Sequence, residues 1–322
     1  MKLYLSLLLL LLLASCQKSA TTTTNSIDIL PRETLLNIPT YDGSGQCVHP
    51  DILFLNPPLR GNKFLLAFTP YPYYDGRKEN PSILASRNGI DFYEEKQGLN
   101  PLVSAPTYDH NDDPDLLYDP DTKRYVLYYL ETMRPDSENV IRMESTDALS
   151  WTRRTVLHYD LHQYRHFIVS PAVCRLPAGG YVMYQVNLSH TPFQIEWLSS
   201  THGQDWNLNL INPIISDLSD TLVPWHLDIM AAENKYFMLL SCRINIHDSQ
   251  HQLLMFGESS DLLHWHFHLK PLISSQPSFH NCLSIYRSTG LISDHKLAVW
   301  YSMVQPSGIW RIGVEKFDMD TI

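Results

Sequence analysis

His49-Pro50-Asp51-Ile52-Leu53-Phe54 returns four times in altered form, as Asp113-Pro-Asp-Leu-Leu-Tyr118, Ser170-Pro-Ala-Val-Cys-Arg175, His226-Leu-Asp-Ile-Met-Ala231 and His280-Asn-Cys-Leu-Ser-Ile285. The third positions, Asp51, Asp115, Ala172, Asp228 and Cys282, lie 64, 57, 56 and 54 residues apart. A period of that size is the signature of a repeat architecture. Each segment reads as a short strand with a polar tip. Each is followed by a second strand rich in β-branched and aromatic residues: Phe64–Phe68, Tyr125–Tyr129, Tyr181–Tyr184, Tyr236–Leu240 and Leu297–Tyr301.

A third element completes the unit. Ser86-Arg-Asn-Gly-Ile-Asp-Phe92, Ser145-Thr-Asp-Ala-Leu-Ser-Trp151, Ser200-Thr-His-Gly-Gln-Asp-Trp206 and Ser259-Ser-Asp-Leu-Leu-His-Trp265 share a serine, a polar turn residue and a closing aromatic. Short Pro-marked strands are expected after it at Asn100-Pro101, Asn212-Pro213 and Lys270-Pro271. Four strands per unit of about 55–60 residues predict an all-β fold, a five-bladed β-propeller, with the first segment of each unit innermost and its polar tip facing the axis. A pair of β-sandwiches also suits short strands with regular turns, but does not require a three-part signature repeated along the chain.

Upstream of the first unit, Lys2, the apolar run Leu5–Leu13 and Leu13-Ala14-Ser15-Cys16 follow the order of a secretory signal peptide ending in a bacterial lipobox. The expected organisation is a signal peptide over 1–16 with lipidated Cys16, a flexible tether over 17–26, and the propeller domain over 27–322. It implies a monomer in the bacterial cell envelope, on the periplasmic side or the outer-membrane surface, touching the membrane through its lipid anchor only. With 34 acidic against 24 basic residues the formal charge is -10, so no nucleic-acid partner is expected. Cys47, Cys174, Cys242 and Cys282 have no metal-like spacing, and an oxidising compartment leaves their pairing open.

His49-Pro-Asp51, Asp112-Asp-Pro-Asp115 and the turn at 145–151 resemble the five-bladed propeller glycoside hydrolases, the group of arabinanases, β-xylosidases, invertases and levansucrases similar to glycoside hydrolase family 43. The resemblance covers nearly the whole chain after residue 26. It implies a glycan substrate, Asp51 as general base or nucleophile, and Asp115 or its neighbour Asp113 as the carboxylate that tunes pKa and orientation. The third-blade acid of those enzymes has no counterpart in Ser170-Pro-Ala172. A non-catalytic carbohydrate-binding propeller is therefore the alternative to a glycosidase.

Glycoside hydrolysis needs one protonated and one ionised carboxyl group, and repulsion among Asp51, Asp115 and Asp228 at matching depth would push their pKa values apart. Each of these aspartates could equally accept hydrogen bonds from blade-tip amides in a structural role. Glu79, Asp228 and, beside the latter, His226 are the candidates for the missing acid. Glu79 follows the aromatic loop Thr69–Arg77, from which Tyr71 and Arg77, with Asn80, are expected to reach a sugar. His49, His226 and His280 share the first position of three repeats and, with Trp225, His166 and Asp113, are expected to line the mouth. The alternating run His264-Trp-His-Phe-His268 lies at the blade periphery and is not read as a metal site. No cofactor is required, and a calcium ion in the channel is compatible with the carboxylates.

Overall fold

Strands buried along most of their length, apolar on both faces, form five sheets whose main strands run antiparallel. The computed structural model describes residues 27, 30–106, 109–164, 166–248, 250–274 and 282–322. The signal segment with Cys16, the tether and His280 lie outside them. Blade 1 is built from Cys47–Leu59, Asn62–Pro70, Ser82–Ser86 and Phe92–Tyr93, and blade 2 from Asn111–Asp119, Arg124–Met133, Ser137–Ser145 and Thr152–Asp160. Blade 3 comprises Ile168–Arg175, Tyr181–Asn187, Gln194–Ser200 and Asn212–Pro213. Blade 4 comprises Val223–Ala232, Lys235–Arg243, Gln252–Ser259 and His264–Phe267, with Ile215–Ser216 added in parallel at its edge.

Blade 5 runs Ser284–Ser293, Lys296–Val304 and Trp310–Asp318, and takes its outer strand, Glu33–Leu35, from the start of the domain. The innermost strands touch one another in a closed cycle, so the fold is a five-bladed β-propeller and not a pair of sandwiches. Apolar faces pack between neighbouring blades. Phe64, Phe68 and Trp300, for example, fill the junction of blades 1 and 5, and Tyr128, Leu198 and Trp206 that of blades 2 and 3.

The recurrent serine turns have a common physical cause. Oδ1 of Asn88 accepts from the amides of Ile90 and Asp91, and Oδ1 of Asp147 and of Asp261 does the same for the amides two and three residues on. In blade 3 His202 stands at this place, and the turn is held instead by Ser200 Oγ accepting from Gly203 N at 2.9 Å.

Two sequence expectations are corrected. Of the Pro-marked segments, only Asn212–Pro213 is a strand; Asn100 instead clasps Ile83 through its side chain, accepting at 2.8 Å and donating at 2.9 Å, and Ile273 makes one isolated bridge to Leu254. The fifth repeat is also displaced. Cys282 precedes the inner strand, and the place equivalent to Asp51 is Thr289, whose hydroxyl accepts from Ile52 N at 3.3 Å while donating to Asp51 at 3.1 Å.

Candidate functional site

Each inner strand enters the axis through a β-bulge. In blades 1 to 3 the bulge holds His49, Asp113 and Ser170 with φ of 54°, 49° and 55°, each followed by a proline. Left-handed backbone at non-glycine residues costs about 1–3 kcal/mol apiece and tends to collect at functional sites. Proline is tolerated there because a bulge needs one amide fewer. The bulges aim the residue before the proline at the mouth and the residue after it deeper along the axis. Two levels result.

The deeper level holds Asp51, Asp115, Ala172, Asp228 and Thr289. Asp51 accepts from Leu116 N at 2.8 Å and Asp115 from Val173 N at 3.0 Å, so each carboxylate binds the amide of the next blade. Ala172 breaks this ring, and Asp228 accepts from its own neighbour, Ile229 N, at 2.8 Å while facing Thr289 and the Gly290 amide of blade 5. Burial, reinforced by the other two carboxylates, holds Asp51 well above the ordinary range. Burial also raises Asp115, to about 7, against the pull of Arg287, and raises Asp228. The three converge as the repeat predicts, with carboxylate oxygens within 4.8 Å of one another. They open toward the far end of the axis, into a cavity of 330 Å³ lined also by Leu53, Tyr118 and Ile292.

The upper level holds His49, Asp113, Ser170, His226 and Arg287. His226 Nδ1 lies 3.1 Å from Asp113 Oδ1 and 2.7 Å from Ser170 Oγ, and His49 Nε2 lies 3.6 Å from the same aspartate oxygen. Ser170 N donates to Asp113 at 2.8 Å. Arg287 joins the levels, with Nη1 donating to Pro114 O at 2.7 Å and lying 3.7 Å from Asp113, and Nη2 donating to Asp115 at 3.3 Å. Burial opposes ionisation of Asp113, but His226, His49 and Arg287 outweigh it and hold the carboxyl well below its usual range. Burial keeps His49 well below the ordinary imidazole value and therefore neutral.

One donor atom from each of His49, Asp113 and His226 falls within 4.8 Å of the other two, and Nε2 of both imidazoles is buried without a hydrogen-bond partner. Two imidazole nitrogens and an ionised carboxylate form a donor set for a divalent metal. The orphaned ring nitrogens fit that use.

Glu79 stands over this cluster, its Oε2 3.4 Å from His49 Nδ1. Its strand-like pairing is fixed by Asn111 N donating to Glu79 O at 3.0 Å. Burial first, and Asp112 second, hold its carboxyl well above the usual range. His110 bridges Asp109 and Asp112, the latter at 3.0 Å; burial works against its charge, but Asp112, Glu79 and Asp109 push it up to about 10. Beside the cluster lies a cavity of 480 Å³ lined by Tyr71, Tyr74, Trp225, Arg243, Tyr286 and Trp310 among others. Tyr286 separates the two, stacked on His49 at 5.1 Å and edge-on to His226 at 4.3 Å.

Of the residues read from sequence, His49, Asp113, His226 and Glu79 are brought together at the mouth, and Tyr71 and Trp225 line the adjoining cavity. Asn80 is buried and structural, donating to Tyr41 Oη and accepting from Asn111. Arg77 points to solvent and is clamped by Asp75 at 2.8 and 2.9 Å. His166 stacks on Tyr159 and binds Glu196 at 3.0 Å on the outer part of blade 3, away from the axis. The first-position place expected for His280 belongs to Arg287. His264 and His266 pair separately with Asp261 and Asp217 at the periphery. The four downstream cysteines are buried and unpaired.

Sequence reading missed His110, Tyr286, Arg287, Arg243 and Trp310. His110 precedes the second-blade motif, three residues before Asp113, a signal hidden by the acidic residues around it.

No protein-family profile matches the chain. It is 24% identical over 313 residues to the A type blood N-acetyl-alpha-D-galactosamine deacetylase of Flavonifractor plautii, a match that spans 81% of this chain and 40% of that protein. The crystal structure of an N-acetylgalactosamine deacetylase from F. plautii, in complex with blood group B trisaccharide, superposes with a TM-score of 0.77 at 20% identity, over 88% of this chain and 94% of that one. A thermostable family-43 glycoside hydrolase superposes at 0.65 with 12% identity, over 84% and 88%. An exo-1,5-alpha-L-arabinanase from a bovine ruminal metagenomic library reaches 0.61 with 11% identity, over 85% and 95%. The chain is thus a five-bladed β-propeller whose structural neighbours include family-43 glycoside hydrolases and a sugar deacetylase.

Proposed function

We propose that this protein is a glycan-acting hydrolase that removes the N-acetyl group of an amino sugar, working through a divalent cation held by His49, Asp113 and His226. The observation that carries this reading is the coincidence of that donor set with the axial mouth, where buried Glu79 stands against His49. The likeness to the F. plautii deacetylase supports the choice of bond. Two nitrogens and one carboxylate suit zinc-like metals better than calcium, which takes about six to eight oxygens.

His49, Asp113 and His226 would hold the cation, which would act as a Lewis acid toward the amide carbonyl and water. His49 stays neutral because burial disfavours its charge, and Asp113 stays ionised because two imidazoles and Arg287 face it. Ser170 and Arg287 fix the Asp113 carboxylate, so its orientation costs nothing when substrate arrives. Glu79 takes the proton of the attacking water and returns it to the departing nitrogen, so that amide and water become free amine and acetate. His110 sets the charge around Glu79.

Glycosidase chemistry is the second reading, supported by the family-43 neighbours and the convergent aspartates. Its weakness is that Asp51 and Asp115 are each committed to an inter-blade amide at the far level. A purely carbohydrate-binding role is the third. Envelope attachment through Cys16 is part of the proposal, supported by Leu13-Ala14-Ser15-Cys16.

The test incubates the protein with N-acetylated glycans and follows acetate and reducing sugar in parallel. Acetate release abolished by a chelator and restored by a divalent metal is expected. Glu79→Gln should lower it by about 100- to 10,000-fold, the worth of a proton-transferring group, and Asp113→Asn should abolish it. Reducing sugar without acetate, lost in Asp51→Asn, would establish the glycosidase instead; binding without either product would leave the third reading.

A further inference from the structure

The cavity beside the metal-binding cluster has a charge character that the proposed chemistry does not use. Its lining contains one formally charged side chain, Arg243, among aromatic rings, apolar groups and neutral amides. Arg243 ends the second strand of blade 4, where it pairs with Val223 and Gln252. The guanidinium carbon lies 3.5 Å from the centroid of the Trp225 ring and 5.8 Å from that of Phe193, so the group is laid flat over indole. Its Nε is buried with no hydrogen-bond partner, and among the described residues no carboxylate comes within salt-bridge distance of it.

That arrangement is unusual in a chain of formal charge -10. Several other arginines each meet a carboxylate: Arg60 meets Glu95, Arg134 Glu138, Arg153 Glu131 and Arg175 Asp121. A guanidinium presents five donors in a fixed fork that matches a carboxylate or an ester sulfate. Stacking on Trp225 leaves the edge of the fork as the direction in which hydrogen bonds can form. On the same wall Trp310 Nε1 is a second buried donor without a partner. The cavity volume of 480 Å³ accommodates a sugar residue or two, and Tyr74 and Trp310, edge to face at 5.6 Å, offer surfaces for a pyranose ring.

From this we infer that the cavity is a subsite for an anionic sugar, with Arg243 the residue that selects its carboxylate or ester-sulfate group. The inference rests on the glycan-acting reading and assigns its substrate class: a heteropolysaccharide in which an acidic sugar stands next to the residue that is processed. Tyr286, which lies both in the cavity wall and against His49 and His226, makes the two positions adjacent.

The experiment measures binding and not turnover. The full-length protein is titrated with three oligosaccharides that differ in one terminal residue, a glucuronate, a 6-sulfated glucose and plain glucose, and quenching of tryptophan fluorescence is followed. Trp225 and Trp310 are the reporters. At least a tenfold preference for one of the anionic probes over the neutral one is expected, falling with added salt; which anion wins identifies the group. Arg243→Met, which keeps the stem over Trp225, should erase the preference and leave the weak neutral binding unchanged. Arg243→Lys should keep part of it, and circular dichroism of both variants checks the fold.

Equal affinity for charged and neutral probes, an unaltered preference in Arg243→Met, or no binding of any probe overturns the inference. Selective binding with no acetate or reducing sugar from any glycan would leave the subsite standing and remove the proposed chemistry. Acetate release without selectivity would do the reverse.

Discussion

Arg287 is fully buried, and its guanidinium is the only cation within reach of both axial levels among the described residues. Replacing it by methionine leaves Asp113 and Asp115 without their counter-charge, and Asp51 and Asp228 without the long-range one. Breaking a buried ion pair from one side costs about 3–5 kcal/mol. Urea unfolding of Arg287→Met should therefore show a midpoint shift of that worth with an unchanged slope; a shift below about 1 kcal/mol would mean that the aspartates already carry protons enough to do without it. At this scale the sequence was only partly readable. His49-Pro-Asp51 and Asp113-Pro-Asp115 show both levels at once, because the proline marks the bulge. Blade 5 has Arg287-Ser-Thr289 in the same places, with neither proline nor acid, so register could be found only by hydrogen bonding to blade 1. Matching on polar tips slid that repeat seven residues too early.

The strands themselves were legible because short runs rich in β-branched and aromatic residues survive sequence drift, and each predicted second strand falls inside an observed one. What sequence did not show was the element that completes blade 5. Glu33–Leu35 is too short to have a pattern, and it becomes a strand only because Trp310–Asp318 offers it an edge. That pairing sets Glu33 directly across from Glu315. Burial, then the charge of Glu33, raise the Glu315 carboxyl from 4.5 to about 7. Between those values the folded chain keeps a proton that the unfolded chain has lost, so this group's contribution is complete below the lower value and is lost as pH rises through the higher one. Melting temperatures recorded across that window should fall less steeply in Glu33→Gln than in the wild type. The gain near neutrality should be about 0.2–1 kcal/mol, the size of a cross-strand charge pair. Parallel curves for the two proteins would show that burial alone sets the Glu315 shift.

At the scale of the molecule, the repeat determined the architecture and the comparisons bear it out, but the candidate site at the mouth lies between repeats. His49, Asp113 and His226 come from three blades, Glu79 from a loop, and Arg243 from the far end of a second strand. No linear spacing announces such a set. A chain beginning at Leu36 would lack the closing strand and expose the edge of Trp310–Asp318; a lower melting temperature and self-association, visible by light scattering, are expected. A melt and light scattering unchanged from the wild type would show that the contacts between blades suffice.

The closure of blade 5 also imposes a schedule. Glu33 is made 282 residues before its partner Glu315, so the circle cannot be sealed until all five blades have been synthesised. Until then blades 1 to 4 can assemble in order from local hairpins, while the first strand waits unpaired. The slowest folding event should therefore be this one long-range docking, and its rate should depend on how far apart the two ends of the domain are held while they search for each other.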